Sequence, residues 1–127
     1  MRDCSIQLTN HAGDLSRVAQ ALARRGVNIK ALAGMSIGGV AMVRILPDDI
    51  VVARSAFEAA NIKFTESEVH QVLLENKAGI LANVTSRLGE AGINLEAIYV
   101  TGTADDLVEL AIVSDNPKKA KKILEEF

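Results

Sequence analysis

The 127-residue sequence predicts an α+β fold of two small βαββα units in tandem, each an antiparallel sheet with its helices on one face. Three observations carry the prediction: a long internal repeat, apolar stripes at helical spacing, and short apolar runs joined by turn residues. Leu8 to Ile29 aligns with Leu74 to Leu95 at a constant offset of 66, and nine of the 22 aligned positions are identical. Composition alone gives roughly one or two such matches. The repeat divides the chain into residues 1–67 and 68–127.

Each copy starts with a short strand dense in apolar residues, Ser5 to Thr9 and His70 to Glu75. A helix follows Gly13 or Gly79. Its stripe is Leu15, Val18 and Leu22 in the first copy and Leu81, Val84 and Leu88 in the second, at spacings of three and four that face a core. Gly26 and Gly92 end these helices, because glycine takes the left-handed conformation of a helix exit at little cost.

A hairpin comes next. In the first copy Ile29 to Ser36 turns through Gly38-Gly39 into Val40 to Leu46; in the second Leu95 to Thr101 turns through Thr103 to Asp106 into Leu107 to Val113. A second helix closes each copy, with Pro47 and Pro117 placed near its start and ends near Ala60 and Glu126. A short strand at Ile62 to Thr65 completes βαββαβ in the first copy alone. The final strand of the second unit is missing, which leaves a sheet edge open, paired with another chain, or cut off at the end of the sequence.

Composition narrows the function. About half of the residues are apolar, yet a unit of about 60 residues buries only roughly 60% of its chain surface, so units are expected to pair within or between chains, as in a homodimer. The formal net charge is −2, and Lys118, Lys119, Lys121 and Lys122 share a helix with Glu125 and Glu126. That reads as a solvated face, not a surface for nucleic acid. No signal peptide and no run of about 20 apolar residues is present, so a cytoplasmic protein with no membrane partner is expected. Cys4, the single cysteine, is assigned to strand packing. Two histidines and one cysteine at separate places make no metal site, no catalytic constellation assembles around His11, Asp14 or His70, and no cofactor is implied.

The shared loops are Asn10-His11-Ala12-Gly13 and Asn76-Lys77-Ala78-Gly79, each leading directly into a helix. Unpaired backbone N–H groups at a helix N-terminus, a glycine that admits close approach, and an asparagine amide together suit the carboxylate of a small zwitterion. Asn28 and Asn94 repeat as well, directly before the second strand. A helix of about 12 residues is roughly 18 Å long, which separates Asn10 from Asn28 within one copy. Antiparallel pairing of copies brings Asn10 and Gly13 beside Asn94, and Asn76 and Gly79 beside Asn28, in two composite sites. The same asparagines also suit plain capping and turn roles. Both readings stand on these residues.

The loop Asn-x-Ala-Gly-x-Leu, the helix stripe and the Gly-Val/Ile-Asn-Ile/Leu exit resemble the ACT domain, twice, over nearly the whole chain. The resemblance implies two ferredoxin-like βαββαβ units and a regulatory protein that binds amino acids at interfaces between paired domains. It carries ligand contacts to Asn10, Gly13 and Asn28, and to Asn76, Gly79 and Asn94. The chain departs from the family in Ala12 and Ala78, where many members have proline, and in Leu8, where serine-binding members have histidine. The implied partners are a free amino acid, a second copy of the chain, and a regulated enzyme or transcription factor. A module that regulates such a protein by contact alone, with vestigial pockets, is the alternative.

Overall fold

A computed structural model describes residues 1–127. The chain forms two compact units, Arg2–Ser67 and Glu68–Phe127, with Met1 grouped with the latter.

The first unit runs β1 (Arg2–Leu8), α1 (Asp14–Ala23), β2 (Ile29–Ile37), β3 (Val40–Pro47), α2 (Ile50–Ala59) and β4 (Thr65–Glu68). Its sheet has the order β2-β3-β1-β4, with β3 antiparallel to both neighbours. Alternate strand residues Cys4, Ile6, Val43 and Ile45 meet Val18 and Leu22 of α1 and Ala53 and Phe57 of α2 in one core. This two-residue period on the strands and three-to-four period on the helices put both helices on the same sheet face. Phe57 is wholly buried, and its ring centroid lies 5.3 Å from that of Phe64. Burial pushes the Cys4 thiol up to about 12, consistent with a packing role.

Two details of this unit correct the sequence reading. Its last strand is Thr65–Glu68, not Ile62 to Thr65. Ile62 belongs to the exit of α2, where its amide donates to the Phe57 carbonyl at 2.9 Å beside left-handed Asn61, and its side chain joins the core. The polar run instead pairs along β1 because its side chains have partners: Glu66 accepts from Arg54 and Arg2, and Ser67 from Arg44. Those guanidinium bonds hold Glu66 down to about 2. Arg44 also grips the buried Asp3 carboxylate with two bonds of 2.9 and 3.1 Å. Pro47 ends β3 and does not start the next helix; Asp49 caps α2 by accepting from the Val52 amide.

The second unit runs β5 (His70–Glu75), α3 (Ile80–Glu90), β6 (Leu95–Ala104), β7 (Leu107–Ser114) and α4 (Pro117–Leu124). Its three strands are ordered β5-β7-β6, antiparallel, and no fourth strand joins them. The core repeats the first, with Val72, Leu74, Leu110 and Ile112 from the strands against Val84 and Leu88 of α3 and Ala120 and Leu124 of α4. Pro117 does open its helix, and Asn116 caps it by accepting from the Lys119 amide.

Candidate functional site

The repeated loops end in helices whose N-termini are left open. Gly13 and Gly79 occupy the cap positions of α1 and α3 with φ of 89° and 90°, and neither helix has a side-chain cap. By contrast, α2 and α4 are capped by Asp49 and Asn116. The helical ladder starts with Arg17 donating to Gly13 and Asn83 donating to Gly79, both at 3.0 Å. The amides of Leu15 and Ser16, and of Leu81 and Ala82, therefore precede the first helical bond and point along the axis toward an incoming acceptor. A Cβ on either glycine would meet nothing within 4 Å, so glycine is required by the left-handed backbone and leaves an open approach.

In the second unit this helix end borders a cavity of about 340 Å³. Asn76, Lys77 and Ile80 form its loop wall, and Leu81, Ile98 and Val100 supply apolar surface. Leu81 and Val100 are each about half exposed, at 51% and 53%, so the stripe assigned to the core from its spacing does not hold at its first position. In the first unit Leu15 and Leu32 take the places of Leu81 and Ile98 and are likewise exposed, while Gly34 stands where Val100 would. A polar end of backbone donors beside an aliphatic wall suits a small ligand with an anionic end and an apolar one.

The two loops differ in how their own donors are used. In the first, Asp14 folds back so that Oδ2 accepts from the Thr9 and His11 amides, both at 3.1 Å, and from the Thr9 hydroxyl at 2.5 Å. The Thr9 hydroxyl bond, followed by the His11 amide, holds the Asp14 carboxyl below the usual range. In the second, Ile80 stands where Asp14 would, and the Lys77 amide donates to the Glu75 carbonyl at 3.0 Å. Lys77 Nζ meets Glu75 at 2.8 Å on the surface.

Asn28 and Asn94 lie at the far ends of α1 and α3, so neither unit brings them to its own loop. Each is locked to an aspartate. Asn28 and Asp48 exchange an amide–carboxylate and an amide–carbonyl bond, both 3.0 Å. Asn94 and Asp115 repeat this at 3.0 and 3.1 Å, and the Asn94 side-chain amide donates to Asp115 Oδ2 at 3.1 Å. Asp48 and Asp115 are offset by 67, so the repeat at 66 does not align them. One extra residue in the second hairpin shifts the alignment, and Ile45-Leu46-Pro47-Asp48-Asp49 matches Ile112-Val113-Ser114-Asp115-Asn116 only after that shift.

No group of three or more His, Cys, Asp or Glu side chains is placed to hold a metal ion, and no helix is long and apolar enough to cross a membrane. Residues 71–127 match the ACT domain family. No curated protein matches the sequence. Among solved structures, a Bacteroides thetaiotaomicron protein superposes with a TM-score of 0.87 at 25% identity, over 98% of this chain and 86% of that one. The regulatory subunit of aspartate kinase from Thermus thermophilus, in a ligand-free form, gives 0.70 at 18% identity over 98% and 89%. The corresponding Thermus flavus subunit gives 0.70 at 17% over 98% and 87%.

Proposed function

Since residues 71–127 match the ACT domain family and residues 2–67 repeat the same order of strands and helices, we propose that the chain is a regulatory sensor that binds a free amino acid between paired ACT units and does no chemistry itself. The observation that carries this reading is the uncapped N-terminus of α3 at Gly79, opening beside a cavity with an aliphatic wall. The ligand carboxylate accepts from the Leu81 and Ala82 amides, Asn76 orients the ammonium end, and the asparagine after the first helix of the paired unit, Asn28 or Asn94, completes the shell. The loop of Asn10 and Gly13 is the counterpart in the other half of the pair. The units that pair belong to one chain or to a homodimer, and the output passes to a regulated enzyme or transcription factor in the cytoplasm. Two of the structures that share this fold are regulatory subunits of aspartate kinase.

A ligand signals through such a pair when it binds one packing of the units more tightly than another; that differential affinity is the whole of the signal. A thermal-shift screen of the standard amino acids at millimolar concentration tests the reading. A ligand at 100 times its Kd adds about 2.7 kcal/mol to stability, so a selective rise is expected. A flat screen overturns the sensor and favours the contact-only module, for which the exposed Met35 and Ile37 on the β2–β3 hairpin are the natural surface.

A further inference from the structure

We infer that the two repeated loops are not equivalent: Asp14 closes the first, and the loop of the second unit is the chain's one amino-acid site, selective for an aliphatic side chain. This rests on the sensor reading of the same loops. The asymmetry is one of charge and of donors. Asp14 is the first residue of α1, so its carboxylate lies in the turn where the helix dipole would otherwise attract an anion. It is held there by the Thr9 and His11 amides and the Thr9 hydroxyl, which donate to it. A ligand carboxylate approaching Leu15 and Ser16 meets a like charge within one helical turn, a repulsion that water only partly screens.

The second loop lacks that charge. Ile80 occupies the equivalent position and lines the cavity, so the positive end of α3 is uncompensated and the wall around it is hydrocarbon. Leu81, Ile98 and Val100 extend that wall, while Asn76 and Lys77 at the loop end and Tyr99 on β6 supply the polarity. A side chain with a hydroxyl, amide or charge would lose water against the Leu81, Ile98 and Val100 surface without gaining a partner from it, whereas an aliphatic one loses nothing. The first unit retains the same shelf in Leu15 and Leu32, both about half exposed at 44% and 50%. Gly34 stands where Val100 completes the wall in the second unit, and Asp14 adds the charged barrier.

Exchange of the two residues tests this in the full-length chain. Isothermal titration with L-leucine, L-isoleucine and L-valine is expected to give one site per chain in the native protein. Asp14→Ile is expected to raise this to two, at a half-buried position that the other copy fills with isoleucine. Ile80→Asp is expected to weaken the native site at least tenfold, equivalent to about 1.4 kcal/mol, while Ile80→Asn keeps the shape without the charge and separates repulsion from lost packing. Two sites in the native chain, or no gain in Asp14→Ile, overturns the inference and leaves the sensor standing. A polar amino acid that stabilises the protein where all three aliphatic ones fail does the same. Failure of every standard amino acid to bind either the native chain or Asp14→Ile removes both.

Discussion

Phe57→Ala lowers the stability of the first unit by about 4 kcal/mol. Phe57 is the largest wholly buried side chain, set on α2 where it contacts the strand layer and Phe64. Truncation loses the transfer free energy of the ring and leaves a hole that a close-packed core fills only in part. Loss of the tilted ring pair adds to this. A small unit holds little reserve, so the change is a large share of its total stability. Urea denaturation followed by circular dichroism, with amide exchange in β1 and β3 as the local readout, checks the effect. A loss below about 1 kcal/mol would mean that the helices collapse onto the sheet and that the core tolerates large vacancies.

Gly79→Ala is expected to weaken amino-acid binding at least tenfold, a change of about 1.4 kcal/mol. With φ at 90° the residue is in the left-handed region, so alanine costs about 1 kcal/mol of stability or shifts the loop that aims the Leu81 and Ala82 amides. The added methyl group also stands in the open space through which the ligand approaches. Gly13→Ala is the matched control. Its φ is 89° and a Cβ there is equally free of contacts, so its stability cost is the same, while binding stays unchanged because Asp14 already closes that loop. Equal binding losses in the two variants, measured by titration calorimetry, would make the loops equivalent.

The repeat made much of the fold legible, because nine identities at one offset place the first helix of each unit, with the loop before it and the exit after it, before any packing is considered. The open helix ends were legible too, since Gly13 and Gly79 precede their apolar stripes directly. Three features were not. Thr65–Glu68 has no apolar alternation, and its pairing depends on Arg54, Arg2 and Arg44, residues far away in sequence. Asp48 and Asp115, which fix Asn28 and Asn94, were hidden by the single-residue shift in the hairpin. Leu15 and Leu81 fit the helical stripe, but the first turn of each helix extends past the core, and spacing alone does not tell a core wall from a site wall. That last ambiguity is physical: the same hydrocarbon surface serves either purpose.

The sensor function requires an amino acid at the start of α3. Amide chemical-shift mapping of the isotope-labelled chain, titrated with the amino acid that gives the largest thermal shift, tests this directly. The predicted result is a saturable movement of the Gly79, Leu81 and Ala82 amides, with Leu15 and Ser16 unmoved. Saturable shifts confined to other residues, with those three amides still, would contradict the site and the function built on it.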